Sequence, residues 1–187
     1  MLAFIRAHPF VTIAAAVQGR PIIAQAPAVA REIDGELVID FHLSRANALA
    51  PVIVPGFRAV ALATGPDAYV SPDWYVSADQ VPTWNYLSVE AEGSVAPLDE
   101  AELITQLDDL SAREEARLLP KPPWTRHKMT PGRFEAMLRG IIGARLVVDR
   151  LEGTFKLSQN KSEAERAGVV AALGDHPIAN LMCEVSS

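Results

Sequence analysis

Residues 33–47 read IDGELVIDFHLSRAN. Asp34-Gly35 stands between an apolar residue and an alternating run, and glycine accepts the positive φ that a two-residue hairpin turn demands. The pair predicts a β-hairpin. In ELVIDFH (36–42), Leu37, Ile39 and Phe41 share one face of the strand, while Glu36, Asp40 and His42 share the other. The strand ends in His42-Leu43-Ser44-Arg45-Ala46-Asn47, a donor-rich loop that leads toward a helix.

More strands appear on either side. FVTIAAAV (10–17) is a continuous apolar run, closed by the turn signal Gln18-Gly19-Arg20-Pro21 and followed by IIAQAPAVA. RAVALAT (58–64) predicts a buried strand, with DAYVS (67–71) as its hairpin partner across Gly65-Pro66. YLSVEAEGSV (86–95) alternates, with Leu87, Val89 and Ala91 inward and Ser88, Glu90 and Glu92 outward. ARLVVDRLEGTFKLS (144–158) gives one or two further strands, broken at Glu152-Gly153. Six or seven short strands with tight turns predict an antiparallel barrel or sandwich.

Three helices are marked by their ends. Asp99 with Glu102 forms a capping box ahead of Leu103, Leu107 and Leu110, and Ser162 with Glu165 forms another ahead of Val169, Val170 and Leu173. Thr130-Pro131 places a cap before a proline at the first helical position, with Phe134, Met137, Leu138 and Ile141 at helical spacing. Gly140 stops that helix, and Gly174 with Pro177 closes the last. The expected class is mainly β with α, over one domain spanning 1–187 with a helical C-terminal extension.

Composition narrows the functional classes. With 187 residues, 49% apolar and 21% charged, the chain can bury a full core, which excludes a disordered or collagen-like protein. No apolar run approaches the roughly 20 residues of a membrane span, and no signal peptide is legible at the N-terminus. The lone Cys183 forms no internal disulfide, so the expected setting is cytoplasmic. A formal charge of −6, with no run of lysine and arginine, argues against direct DNA binding. No two adjacent helices make a helix-turn-helix, because Leu119-Pro120-Lys121-Pro122-Pro123 separates the first two.

The chemistry is equally bounded. The four histidines are scattered, no metal-ligand spacing occurs, and the signatures of serine hydrolases, Rossmann folds and P-loops are missing. Asp108-Asp109 and Glu114-Glu115 read as solvated helix faces. Three segments stand out. Ser44, Arg45 and nearby N–H groups suit a phosphate, although spacing alone favours an ordinary strand end with Asn47 as a cap. Trp74 to Tyr86 holds two of the three tryptophans and two of the three tyrosines, which suits a core, an interface or a wall for a flat ring. Thr154, Lys156 and Ser158 share one face of TFKLSQN (154–160), equally a solvated strand edge.

PDWY (72–75), VPTWNY (81–86), Gly140-Ile141-Ile142-Gly143 and KLSQN (156–160), in this order, resemble the PaiB-like family of FMN-binding negative transcriptional regulators. The resemblance runs from about His8 to Leu173. It implies a Greek-key split β-barrel of the FMN-binding type, related to pyridoxamine phosphate oxidase, with three or four packing helices. It also implies a homodimer with FMN near the subunit interface. The family's HxARANP segment matches His42, Arg45, Ala46 and Asn47, with Ser44 in place of its alanine and Ala48 in place of its proline. Trp84 and Asn85 match its WNY motif, and Lys156, Ser158 and Gln159 its KLSQN motif. The roles implied are phosphate binding by Ser44, Arg45 and Lys156, a ring pocket at Trp84 and Asn85, and polar edges oriented by His42 and Gln159. In flavoproteins the cofactor carries the redox chemistry, so no catalytic residue is named. The rival classes are an FMN-dependent oxidoreductase and a flavin-free dimer acting through partner contacts.

Overall fold

The computed structural model describes residues 1–184. The elements in chain order are α1 (Leu2–Ala7), β1 (Phe10–Val17), β2 (Arg20–Ile33), β3 (Glu36–Ser44), α2 (Ala50–Ile53), β4 (Phe57–Val70), β5 (Thr83–Pro97), α3 (Glu100–Ala116), α4 (Arg133–Leu138), β6 (Ile141–Lys156), α5 (Glu163–Leu173) and α6 (Pro177–Glu184). The chain divides into two compact units. Met1–Ala63 with Glu90–Glu152 forms the first, and Thr64–Val89 with the chain from Gly153 onward forms the second.

The first unit is built on a closed antiparallel barrel of order β1-β2-β3-β6-β5-β4. β1, β2 and β3 follow one another through tight turns, and β4 returns to pair with β1, with Ala15 opposite Ala59. A fourth strand lying beside the first is the Greek-key arrangement. The two turns form where the residue chemistry requires them. Gln18 and Gly19 have φ of 52° and 76°, and Asp34 and Gly35 have φ of 52° and 85°, the paired positive values of a type I′ hairpin. Inside the barrel lie Ile13, Ile39, Phe41, Ala91 and Leu146, each fully buried. Along β5, Leu87, Val89 and Ala91 are buried, as expected.

At Gly93 the barrel leaves no room for a side chain. A Cβ there would lie 1.9 Å from the Val147 carbonyl oxygen. Gly93→Val should therefore force the β5 and β6 backbones apart and cost about 3 kcal/mol or more, read as a drop in the urea midpoint.

Several expectations are corrected. β4 runs unbroken through Gly65-Pro66, so the hairpin expected there is not formed. Its register with β1 covers Ala59 to Leu62, and Pro66 lies beyond, where its missing N–H costs that ladder nothing. β6 likewise runs unbroken through Glu152-Gly153 to Lys156, so the break expected there is not formed. The Thr130-Pro131 cap is replaced by Gly132 at φ 79°, and α4 starts at Arg133. α3 packs over β2 and β3, and Asp40 is fully buried beneath it.

In the second unit, both amides and side chains of Ser162 and Glu165 close the expected capping box of α5. Pro177 opens α6 instead of merely ending α5, and the His176 Nδ1 accepts from the Ile178 N–H at 3.2 Å. α5 and α6 pack together, and Val169, Ile178, Ala179 and Met182 are buried. Among the described residues no helix is long and apolar enough to cross a membrane.

Candidate functional site

In the first unit, the end of β3 carries four of the nine residues singled out. The Arg45 backbone N–H donates to the Gly140 carbonyl, and its Nε donates to the Arg139 carbonyl, both at 3.0 Å. Those bonds fix the side chain's root and leave the outer guanidinium nitrogens for another acceptor. Ser44 Oγ accepts from the Ala46 N–H at 3.2 Å, and its own proton remains free to donate. Asn47 Oδ1 accepts from the Leu49 N–H at 2.9 Å, an Asx turn, so the Asn47 side-chain oxygen is already used. The helix that follows, α2, has four residues and no side-chain cap, so it supplies no anion-binding terminus.

Arg45 opens on a cleft of about 400 Å³ lined also by Arg139, Asp99, Glu100, Glu135 and Gly143. Two arginines face three carboxylates, a formal balance of −1. An anion there depends on direct contact with Arg45 rather than on the field of the cleft. Gly143 keeps this floor low. A Cβ at that position would lie 3.0 Å from Leu103 Cδ1 and 3.1 Å from Leu98 Cβ.

His42 faces a different cavity from Arg45. Its Nδ1 lies 3.0 Å from Gln106 Oε1, which makes Nδ1 the protonated nitrogen of the pair. Burial pushes the imidazole below its ordinary pKa, and the Gln106 bond opposes that shift without cancelling it. The folded chain therefore binds a proton here less readily than the unfolded chain does. Stability should be full above pH of about 6.5 and decline as the pH falls toward the folded pKa. Urea midpoints taken from pH 7 to 5.5 should fall, and His42→Gln should flatten that slope.

The second unit holds the other five residues. Lys156 Nζ donates to Thr83 Oγ1 at 2.6 Å, an exposed pair of cation and hydroxyl. Asn85 is fully buried, and its amide exchanges hydrogen bonds with Ser158 Oγ at 3.0 and 3.2 Å while also donating to Met182 Sδ. Ser158 sits at φ 59°, and Gln159 spends both ends of its amide on the same turn, accepting from Leu157 N–H and donating to the Phe155 carbonyl. Trp84 is 52% exposed, with its ring edge-on to Tyr69 at 6.1 Å. Tyr86 is exposed too, whereas Tyr75 is buried with Lys161 4.8 Å from its ring. The aromatic segment thus divides between core and surface. Arg45 and Lys156 belong to different units, and each has its own partner.

Residues 1–150 match the sequence family described as "Putative FMN-binding domain". The chain belongs to this FMN-binding family. It is also 29% identical over 184 residues, 97% of this chain and 87% of the other, to the protease synthase and sporulation protein PAI 2 of Bacillus subtilis (strain 168). Among solved structures, it is similar to the FAD and heme binding protein from Mycobacterium smegmatis, with a TM-score of 0.59, 18% identity, and coverage of 94% of this chain and 77% of that one. The flavocytochrome Anf3 from Azotobacter vinelandii gives a TM-score of 0.53 at 16% identity, covering 82% and 66%. These two likenesses concern the fold.

FMN is the cofactor of this FMN-binding chain. The donor chemistry fits its two ends. A dianionic phosphate asks for a cation with hydroxyl or N–H donors, which Arg45 with Ser44 and Lys156 with Thr83 both offer. A flat ring asks for exposed flat faces, which Trp84 and Tyr86 offer. Asn85, Ser158 and Gln159 are satisfied within the second unit. Thr83, Arg139 and Gln106 escaped the sequence reading. Gln106 alone had a signal, a polar residue inside the stripe Leu103, Leu107, Leu110.

Proposed function

We propose that this chain is an FMN-binding regulatory protein of the PaiB type, a single FMN-binding domain over its whole length that acts as a homodimer in the cytoplasm. The observation that carries the reading is Arg45, whose root is tied to Gly140 and Arg139 while its outer nitrogens stay available beside the Ser44 hydroxyl. Arg45 and Ser44 bind the phosphate. Lys156 with Thr83 is a second cation–hydroxyl pair of the same chemistry, to be tested by itself. Trp84 provides a ring face, and Asn85, Ser158 and Gln159 hold its strand and the neighbouring turn in place, with His42 and Asn47 supporting β3 and the loop after it. When bound, FMN supplies reversible two-electron redox chemistry, and the chain's contribution is to bind and orient it.

The test is titration of the purified chain with FMN, followed by flavin fluorescence. Saturable quenching at one FMN per chain is expected, and no saturation at micromolar protein would end the reading. Bleaching of bound flavin by NADH or NADPH without other proteins would replace the regulatory role by an oxidoreductase. Because the chain is acidic, regulation is expected to run through protein partners. Gel-shift titration with promoter fragments at physiological salt should give no competitor-resistant complex.

The dimer rests on exposed apolar residues. Tyr69, Trp84 and Tyr86 stand on the surface of the second unit, and Phe10 and Ile23 on that of the first, and such side chains are favoured at interfaces. Light scattering at micromolar concentration should give twice the chain mass, and Trp84→Lys should shift the mass toward one chain. A parent protein that is monomeric under those conditions contradicts the assembly.

A further inference from the structure

His42, Ser111, Trp124, Arg126 and Phe134 line a cavity of about 310 Å³ in the first unit, between the end of β3, α3, the segment 117–132 and α4. The flavin reading makes no use of it. Its size is informative. A dry cavity of about 150 Å³ suffices for benzene, so this one has space for two fused rings.

Its electrostatics narrow the occupant further. Arg126 Nε lies 3.1 Å from Asp108 Oδ2, and its guanidinium is 5.1 Å from the centre of the Phe134 ring. Both members of that pair line the cavity and cancel each other. An anionic ligand would compete with Asp108, and a cationic one with Arg126. The polar groups left over are the Ser111 hydroxyl on α3 and, at the end of β3, the His42–Gln106 link. Gln106 is fully buried, and its Nε2 has no hydrogen-bond partner, an arrangement that is unfavourable for a buried donor. His42 spends Nδ1 on Gln106 and keeps Nε2 uncommitted. If the Gln106 amide turns end for end, the proton moves to Nε2 and the vacant amide atom becomes the carbonyl. His42 therefore offers either a lone pair or a proton. A hydroxyl, which both donates and accepts, is received in either state.

We propose that this cavity binds a small neutral aromatic molecule of one or two rings carrying a hydroxyl, with Phe134 and Trp124 flanking the ring and His42 receiving the hydroxyl. The site is separate from the flavin and does not depend on FMN binding.

The probe is 2-naphthol, titrated calorimetrically into the full chain. One saturable site is expected, with 2-naphthoate, the anion of similar shape, at least tenfold weaker. Ser111→Leu should fill the cavity and weaken 2-naphthol at least tenfold while FMN affinity stays at the parent value. Leu107→Phe, which fills the same space, serves if the first variant does not fold. His42→Phe should remove the preference for 2-naphthol over 2-methylnaphthalene. The proposal is overturned if 2-naphthol gives no saturable heat, if the folded filling variants bind it as the parent does, or if naphthoate binds equally well. It is also overturned if one equivalent of FMN displaces the naphthol, because the cavity would then be part of the flavin site.

Discussion

Asp40→Ala should cost about 3–5 kcal/mol of folding stability, a loss large enough to leave the chain partly unfolded at ambient temperature. Asp40 is fully buried on the outer face of β3. Arg145 grips both of its oxygens, Nε to Oδ1 at 2.7 Å and Nη2 to Oδ2 at 2.9 Å, and a third nitrogen of Arg145 reaches Glu102 on α3. Arg31 adds a second cation 3.6 Å from Asp40, although its Nε and Nη2 make no directed hydrogen bond. Its attraction is therefore charge alone. Removing this carboxylate leaves Arg145 with Glu102 alone and Arg31 with Asp109 alone, 3.2 Å away, and the lost bidentate pairing at a buried position is the largest part of the expected loss. The urea midpoint measures it. Asp40→Asn should lose nearly as much, because the amide keeps the shape and discards the charge. Asp40→Leu combined with Arg145→Leu should recover part of the loss by removing both charges. A single Asp40→Ala within 1 kcal/mol of the parent would mean that the cluster is solvated in solution.

The same residue marks the boundary of what the sequence can disclose. Asp40 alternates with Ile39 and Phe41, and alternation assigns it correctly to the outer face. Alternation is silent on whether a helix covers that face. The covering helix, α3, is announced by its own capping box some 60 residues later, and nothing local links Asp99 to β3. Signals contained within a few residues were legible, such as Gln18-Gly19, Asp34-Gly35 and Ser162 with Glu165, because their energetics are local. Pro66 misled for the converse reason. Proline ends a strand only where a neighbour needs its N–H, and the ladder to β1 has already stopped at Leu62. The candidate site divides in the same way. The loop at Arg45 is readable as donor-rich, whereas the closure of Asn85 on Ser158, 73 positions away, is a tertiary contact.

Arg45→Ala should weaken FMN binding roughly ten- to a hundred-fold, the equivalent of one lost hydrogen bond to a charged group at about 1.5–3 kcal/mol. The cleft beside Arg45 carries a formal balance of −1, so no background positive field compensates when the guanidinium goes. Riboflavin separates the phosphate from the ring. It lacks the phosphate, so parent and variant should bind it equally. Arg45→Lys should recover only part of the loss, because an ammonium cannot keep the bond from Nε to the Arg139 carbonyl and face the phosphate at once. Arg20→Ala, an exposed residue at the start of β2, controls for a general change of charge and should leave FMN affinity within twofold of the parent. Lys156→Ala is read on its own, since its partner is Thr83 and its loss leaves the Arg45 loop intact. A fall in FMN affinity for Arg45→Ala alone places the phosphate in the first unit, and a fall for Lys156→Ala alone places it in the second. Full FMN affinity in both variants, with riboflavin unchanged, would mean that neither cation touches the phosphate. The candidate site would then have to be sought among donors other than these two.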